Sequence, residues 1–306
     1  MGAITFGKPP LSKGSGATPS IAINDQLIVV TVHLESGSIV YRVGSANKKS
    51  RTLRLNESRP LISGERPTVA LNRNQVVCSY GRGDSIFSRA GTDIDAEAGT
   101  IQWGPETKID SGKTPSVALD QDGTALDVHR SESGIGVYCE VGPYDAAKKT
   151  INWPGSGSKY DTGELPRVAL NGTVACEVHR SETARYDLYY NVGSVNPKNR
   201  SCSLGGGNQY YDTRSGGADN GATPAPSVAL TNNLIAIEVH DLGNGDSPLA
   251  YFFGTVDAKD QKIGWPKSPT PIDVFGSAPS VAVNNGGVVT VAYTAGGVLT
   301  YLVGTF

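Results

Sequence analysis

The chain has 306 residues, of which 27 are lysine or arginine and 29 are aspartate or glutamate, so its formal net charge is −2. This balance argues against a nucleic-acid-binding surface, which needs a basic patch. No apolar run approaches the length of about 18 residues that marks a membrane span, and the N-terminus lacks the charged-then-apolar pattern of a secretory signal. We therefore expect a soluble protein that is made in the cytoplasm and leaves the cell, if at all, outside the Sec route.

An internal repeat with a period of roughly 50 residues runs through the whole chain and decides the fold. Each copy opens with a proline that begins a β-rich run such as PSIAI or PSVAL. Four short runs rich in Val, Ile and Tyr follow one another in a copy, separated by Gly, Asn, Asp and Ser. Such runs are typical of strands joined by hairpins, and no segment has a sustained helical period. The six copies begin at Pro19, Pro67, Pro115, Pro166, Pro226 and Pro279.

Four antiparallel strands per repeat predict the blade of a β-propeller. The sixth copy has only three strands, and residues 4–7 at the N-terminus supply the missing one, with Phe6 where other copies have tryptophan. The prediction is an all-β, six-bladed β-propeller that forms a single domain over 1–306 and whose last blade is closed by the N-terminal strand. Residues 205–223 are predicted to form an enlarged surface loop between blades four and five.

The candidate site residues lie at the end of the second strand of each blade. All four histidines share one position of the repeat, and three of them follow an acidic residue by two places, which puts both side chains on one face of the strand. Blades three and four continue as His-Arg-Ser-Glu. The candidates in this strand are Asp127, His129, Arg130, Ser131, Glu177, His179, Arg180, Ser181, Glu238 and His240.

Two interpretations of this strand compete. A buried imidazole held by a carboxylate can be a structural clasp, and the tyrosines at the same position in blades two and six, Tyr80 and Tyr293, suit that view. The acid, however, occurs only in three blades that also have histidine. A function that is present in some blades and lost from others explains this covariation, so we also consider a binding site.

Three tryptophans at one position of the fourth strand are further candidates: Trp103, Trp153 and Trp265. Leu55, Leu204 and Phe6 take the same position in the other blades, which favours packing between blades. An aromatic face is also the usual platform for the apolar side of a sugar ring, so both roles remain open.

Other chemistry is weakly represented. The four cysteines lie at unrelated repeat positions without metal-ligand spacing, so we expect free buried thiols, no disulfide and no metal site, and hence a reducing compartment. Asp120 and Asp122 resemble the start of a calcium loop, but a hairpin turn explains them. No blade holds a unique pair of carboxylates for glycoside hydrolysis, so no catalytic residue and no cofactor is predicted.

The combined repeat resembles that of the PLL-type (Photorhabdus lectin-like) β-propeller lectins. The matching residues run from Trp153 through Tyr160-Asp161-Thr-Gly163 and Pro166-Arg-Val-Ala-Leu170 to Glu177-Val-His179-Arg-Ser181 and Leu188-Tyr-Tyr190-Asn-Val-Gly193. The resemblance covers the whole chain and implies sugar pockets between neighbouring blades that take fucose or O-methylated saccharides. The chain departs from the family in having six blades rather than seven and in losing motif residues from blades two and six.

Together these observations predict a multivalent, non-enzymatic lectin that binds fucosylated or O-methylated glycans on cell surfaces or glycoproteins. Blades three and four should carry the best sites, and self-association into a homo-oligomer is compatible with this function. The alternatives are a glycosidase or lyase on a propeller scaffold and a structural, protein-binding propeller without a small ligand.

Overall fold

The computed structural model describes residues 3–182, 187–205, 209–212, 226–242 and 247–306. Within these residues all regular secondary structure is β, in six antiparallel sheets that correspond to the six predicted blades. The all-β six-bladed propeller is therefore confirmed.

Each blade has an inner strand, two middle strands and an outer strand that is usually broken into two segments. Blade one contains β3 (Ala17–Ile23), β4 (Ile28–Glu35), β5 (Ser38–Asn47), β6 (Thr52–Leu55) and β7 (Arg59–Ser63). Blade two contains β8 (Glu65–Asn72), β9 (Gln75–Arg82), β10 (Ser85–Asp95) and β11 (Thr100–Ser111). Blade three contains β12 (Lys113–Leu119), β13 (Thr124–Arg130), β14 (Gly136–Asp145), β15 (Thr150–Ile151) and β16 (Ser158–Thr162).

Blades four to six follow the same plan. Blade four contains β17 (Glu164–Asn171), β18 (Val174–Arg180), β19 (Leu188–Asn196), β20 (Ser201–Leu204) and β21 (Gln209–Asp212). Blade five contains β22 (Ser227–Leu230), β23 (Ile235–Asp241), β24 (Pro248–Asp257), β25 (Lys262–Ile263) and β26 (Thr270–Phe275). Blade six contains β27 (Ser277–Val283), β28 (Val288–Ala295) and β29 (Val298–Thr305), together with β1 (Thr5–Phe6) and β2 (Leu11–Ser15).

The N-terminal strand closes the last blade as predicted. Thr5 pairs with Thr305 and Phe6 with Gly304, and β2 continues along the same edge of β29. Ile4 is buried in the core between blades five and six. The N-terminal strands thus cover the edge that β29 would otherwise expose, and only a short outer edge remains at this blade.

The outer strand is longer than the sequence indicated. The predicted I-x-W run forms only its first segment, and a second segment pairs with the other half of the third strand, as β16 pairs with β14. In blade three the break spans residues 152–157 and contains Pro154, which has no amide hydrogen to donate to the strand ladder. Of the predicted 205–223 loop, Gln209–Asp212 form β21, and residues 206–208 and 213–223 lie outside the described residues.

The hairpin assigned to Asp120 and Asp122 is confirmed. Asp120 Oδ1 accepts hydrogen bonds from the backbone amides of Asp122 and Thr124, at 2.9 and 2.7 Å, and Gly123 has a φ of 81°. The carboxylate therefore stabilises a turn, as Asn24 and Asn284 do in blades one and six.

Neighbouring inner strands are joined by a ring of hydroxyl groups one residue after each repeat proline. Each hydroxyl oxygen accepts a hydrogen bond from a backbone amide of the next blade, at 3.0–3.2 Å. The members of this hydroxyl ring are Ser20, Thr68, Ser116, Ser227 and Ser280, and Arg167 takes the sixth position.

The expectation of four free thiols is wrong for two of them. Cys139 of β14 forms a disulfide with Cys202 of β20, with Cα atoms 6.6 Å apart. This pair could not be predicted from the repeat, because the contact joins a third strand to the outer strand of the next blade and the partners occupy different repeat positions. Cys78 and Cys176 are free and buried, as expected. The argument for a reducing compartment, which depended on four free thiols, no longer holds.

Candidate functional site

Three neighbouring blade junctions contain the same buried cluster of two acids and a histidine. In the junction of blades two and three, His129 Nδ1 lies 2.9 Å from Asp127 Oδ1 on the same strand. Its other ring nitrogen, Nε2, faces Asp110 on the outer strand of blade two, at 3.7 Å. Thus the histidine bridges a carboxylate of its own blade and one of the preceding blade.

The other two junctions repeat this arrangement. His179 lies between Glu177, at 3.0 Å, and Asp161 of blade three, at 3.9 Å. His240 lies between Glu238, at 2.9 Å, and Asp212 of blade four, at 3.4 Å. We call these three sets the acid–histidine clusters: Asp110, Asp127 and His129; Asp161, Glu177 and His179; Asp212, Glu238 and His240.

The fourth histidine shows what happens without the two acids. His33 has Thr31 at the acid position of its strand, and its Nε2 contacts Glu35 at 3.3 Å instead. Burial disfavours the charged ring and lowers the pKa of His33. The complete cluster therefore belongs to only some of the histidine-bearing blades.

The carboxylates determine the charge of the histidines in the complete clusters. Burial opposes protonation of His129, but its bonds to Asp110 and Asp127 outweigh burial and raise its pKa to about 9. The same balance, with Glu238 and Asp212 as partners, raises the pKa of His240 to about 9. Both rings are thus imidazolium ions at neutral pH.

Sequence reasoning found the acid and the histidine on one strand but missed the outer aspartates. Asp110 and Asp161 each come two residues before a repeated glycine, Gly112 and Gly163. This is a detectable signal, because the glycine contacts the next blade's ring: a Cβ on Gly112 would lie 2.7 Å from Cδ2 of His129. Gly64 and Tyr80 of blade two are equally close, since a Cβ on Gly64 would lie 2.9 Å from Cδ2 of Tyr80. A ring at this position therefore also has a packing role in blades without acids.

Burial divides each cluster into a supporting part and a solvent-facing part. The strand acids and histidines are fully buried. The outer aspartates keep some exposure, with 23% for Asp110 and Asp212 and 13% for Asp161. The buried pairs therefore orient the outer carboxylates, which can accept hydrogen bonds from a ligand.

In two of the junctions a half-buried tyrosine covers the histidine. The Tyr138 ring stacks on His129 at 5.9 Å and 10°, and the Tyr189 ring stacks on His179 at 5.9 Å and 14°. The exposed ring of Tyr210 lies edge-on to Tyr189 at 5.9 Å. These rings place an aromatic surface beside the outer carboxylates.

The arginines that follow the histidines point away from the clusters. Adjacent residues of a strand face opposite sides, so Arg130 and Arg180 leave the face that His129 and His179 occupy. Both guanidinium groups bind the carboxylate of Glu164, with Arg130 Nη1 at 3.0 Å from Oε1. Half-buried Ser131 and buried Ser181 begin the following turns, where their amides donate to Gly136 and Asp187 at 2.8 Å.

The tryptophans pack between blades. The Trp153 indole donates to Ser88 Oγ of blade two at 2.9 Å, and Trp103 lies edge-on to Tyr41 of blade one at 5.6 Å. Trp265 contacts Tyr190 of blade four and Phe252 of its own blade. Trp103 and Trp265 are half-buried, whereas Trp153 is buried, so the packing role predicted from the sequence is present in all three.

No group of three or more histidine, cysteine or acidic side chains suited to a metal ion occurs among the described residues. The same part of the chain has no helix long and apolar enough to cross a membrane.

Comparison with solved structures supports the fold. A Trypanosoma rangeli sialidase mutant displaying trans-sialidase activity matches with a TM-score of 0.59 and 12% identity over 99% of this chain. The match spans only 58% of the length of that sialidase. The NanB sialidase from Streptococcus pneumoniae matches with a TM-score of 0.62 and 8% identity, over 96% of this chain and 70% of its own.

A carbohydrate-binding protein is also among the similar structures. An Aleuria aurantia lectin mutant in complex with Fucα1-6GlcNAc matches with a TM-score of 0.58 and 11% identity, over 96% of this chain and 93% of its own. At these identities the likeness shows the propeller fold alone. No protein-family model and no curated protein matches the sequence.

Proposed function

We propose that this chain is a multivalent, non-enzymatic carbohydrate-binding protein with sugar sites at the blade junctions that hold the acid–histidine clusters. The observation that carries the proposal is the repetition of one cluster in three junctions. An enzyme needs a single specialised site, whereas repeated similar sites suit a binding protein that gains avidity from several weak contacts.

The surface of each junction suits a saccharide. An outer aspartate accepts hydrogen bonds from sugar hydroxyls, and these charge-assisted bonds are stronger than neutral ones. Tyr138 and Tyr189 offer aromatic faces to the apolar side of a sugar ring. A methyl group on fucose or on an O-methylated sugar would add apolar contact there, in line with the resemblance to the PLL-type lectins.

The buried residues support this surface. Asp127 with His129, Glu177 with His179 and Glu238 with His240 hold the outer carboxylates in position from below. Trp153 and Trp265 add aromatic packing to two of these junctions, whereas Trp103 packs in the junction of blades one and two, which has no cluster. Arg130 and Ser131 shape the adjoining end of blade three, and Arg180 and Ser181 that of blade four.

A glycan array with the intact chain, followed by calorimetry with the best ligand, tests the proposal. Asp161→Asn and Tyr189→Ala should each weaken one site by about tenfold while the remaining sites bind normally, since a charge-assisted bond contributes roughly 1.5–3 kcal/mol. Phe87→Ala is the matched control, because Phe87 occupies the Tyr189 position in blade two, which has no acid–histidine pair. Unchanged binding in both junction variants would contradict this location of the sites.

A hydrolase is the second candidate, and one observation favours it. In the junction of blades two and three, burial and the charges of Asp127 and Asp110 raise the pKa of Glu140 to about 8. A protonated and an ionised carboxyl side by side resemble an acid–base pair. Glu140 is buried, however, and the other junctions have Asn191 and Phe252 at its position. Turnover of an aryl glycoside that Glu140→Gln abolishes would establish this alternative.

A further inference from the structure

The axial channel of the propeller opens at one end into a charged cavity of about 380 Å³. This volume is within the range of roughly 300–1,000 Å³ typical of small-molecule sites. The first residues of the inner strands of blades two, three and four form its wall. The charged residues in the wall are Glu65, Arg66, Lys113, Arg130, Glu164 and Arg180.

Arg167 interrupts the hydroxyl ring just inside this mouth. The other five positions hold serine or threonine, and each one accepts an amide hydrogen bond from the next blade. A guanidinium has no acceptor to offer, so Arg167 cannot form the equivalent bond to the amide of Val228. The repeat therefore loses a stabilising contact at this position, and such a local exception is expected where a residue serves a function.

A second guanidinium approaches Arg167 from blade two. Burial, together with the positive charge of Arg66, lowers the pKa of Arg167 to about 10, so Arg167 is charged at neutral pH. Arg167 Nη1 donates to the backbone carbonyl of Pro166 at 3.1 Å. Across the described residues, neither Arg66 nor Arg167 forms an ion pair with a carboxylate, in contrast to Arg130 and Arg180, which share Glu164.

The backbone holds Arg66 at the mouth. Arg66 has a φ of 49°, in the left-handed region that non-glycine residues rarely adopt, and the residues before the repeat prolines in blades one and three, Thr18 and Thr114, share this geometry. This backbone geometry is thus a property of the fold. At this position blade two has a cation, Arg66, whereas blades one and three have a threonine hydroxyl.

We propose that the axial mouth binds a small oxyanion group, a carboxylate or a sulfate, between Arg66 and Arg167. Guanidinium groups bind both oxyanions through charge-assisted hydrogen bonds with matched geometry. The serine hydroxyls of the ring line the channel and, because each oxygen already accepts an amide bond, keep a proton that they can donate to an anion. Thr68 differs, because its hydroxyl is bonded to Ser79 Oγ at 2.8 Å. This site is separate from the blade junctions, and its existence does not depend on the proposed sugar binding.

Two probes distinguish the sources of the anion. Calorimetry and thermal unfolding of the intact chain would be followed with inorganic sulfate and with glucuronate, at ionic strength matched by chloride. Glucose serves as the neutral counterpart of glucuronate. We expect sulfate to raise Tm and to bind the wild-type chain. Tighter binding of glucuronate than of sulfate would identify an acidic saccharide, and the reverse would identify a free inorganic anion.

Two test variants replace an arginine of the site by the residue that other blades have at the same repeat position. Arg167→Ser restores the residue found in most other blades and the missing bond to blade five, so it should fold, raise Tm in chloride and weaken sulfate binding at least tenfold. Arg66→Thr, which copies blades one and three, should weaken it severalfold. Arg54→Ser, which removes an exposed arginine of β6, is the control for loss of net charge.

The proposal is overturned if sulfate stabilises the Arg167→Ser variant as much as the wild-type chain, or if the wild-type chain binds neither anion. Asp161→Asn keeps the mouth intact and should bind sulfate normally. A chain that binds no glycan but loses sulfate binding through Arg167→Ser would contradict the lectin proposal and leave the axial site supported.

Discussion

His129, His240 and Glu140 are three residues whose shifted pKa values make the stability of the molecule depend on pH. Unfolding would return the two histidines from a pKa of about 9 to the ordinary 6.5, and Glu140 from about 8 to 4.5. For each of these groups, the folded chain holds more protons than the unfolded chain at any pH between the group's unfolded and folded pKa values. Stability that the histidines contribute is complete below pH 6.5 and is lost as the pH rises through 9.

The free energy of unfolding should accordingly fall between pH 6.5 and 9. Glu140→Gln should flatten this decline by about 2 kcal/mol between pH 6.5 and 8, at 1.36 kcal/mol per pK unit. An amide fits this position, since Asn191 occupies it in blade four. Urea denaturation at a series of pH values measures the effect, with the exposed Glu97→Gln as control. Equal declines in the wild-type chain and in Glu140→Gln would show that the buried carboxyl is already ionised at pH 6.5.

Glu177 provides a second test at the level of one side chain. Its carboxylate lies buried beside His179 and accepts a bond from Asn191 Nδ2 at 3.2 Å. Glu177→Ala leaves the buried His179 ring without this carboxylate, whereas Asn191 Nδ2 keeps Asp161 as an acceptor at 2.7 Å. Removal of one partner of a buried ion pair costs about 3–5 kcal/mol. Thr31→Ala changes the same position of blade one without removing a charge and should cost much less. Equal losses in the two variants, measured by denaturation, would contradict the role assigned to the ion pair.

The residue-level predictions succeeded where the relevant neighbours lie on one strand. Alternation alone placed Glu177 beside His179 and therefore showed half of each cluster. It failed for Asp161, because that residue belongs to the preceding blade and only the closed ring brings it to His179. The same rule places Arg180 on the opposite face from His179, although the motif His-Arg-Ser suggested a single site.

At the scale of the strands, closure of blade six depends on a very short segment. Deleting residues 3–10 removes β1 together with the buried Ile4 and exposes half of the edge of β29. We expect a loss of about 4 kcal/mol in the free energy of unfolding, comparable to removal of a large core side chain, and association through the open edge. Thermal unfolding and light scattering measure both. Removal of the exposed C-terminal Phe306 is the control, and an unchanged Tm after the N-terminal deletion would rule out this closure.

The disulfide between β14 and β20 gives a prediction that does not need a variant. Reduction should lower the free energy of unfolding by about 2–4 kcal/mol, because the bond closes a long loop of the unfolded chain. Thiol titration of the folded chain should label no cysteine before reduction, since Cys78 and Cys176 are buried and burial raises the pKa of Cys176 to about 12. Cys139→Ser should reproduce the effect of reduction on stability. Four reactive thiols in the unreduced, denatured protein would show that the bond does not form.

The strand order was predictable because every blade repeats the same pattern. A strand that is hard to recognise in one copy can be identified from the equivalent residues of the other five. The break in the outer strand was less visible. Its second segment, such as Ser158–Thr162, is polar and follows a proline and two glycines, so it has the composition of a loop. Only its pairing with the first half of β14 makes it a strand.

At the scale of the whole molecule, the acid–histidine clusters occupy consecutive junctions. Three contiguous junctions of six extend over about 120° between the first and the last, if the blades are evenly spaced around a closed ring. The other three junctions lie between blades five and six, six and one, and one and two. They contain Tyr293, His33 and Tyr80 at the histidine position, and His33 has Thr31 in place of the acid.

The acid–histidine clusters therefore lie on one side of the ring, and the described residues of the opposite side contain none. If each cluster supports a sugar site, one copy can engage several glycans of a single surface but presents nothing equivalent to a second surface behind it. A single copy should therefore adhere to glycan-coated beads with high avidity without cross-linking them. Clumping of such beads should appear only when copies associate back to back, which sedimentation at rising protein concentration would reveal.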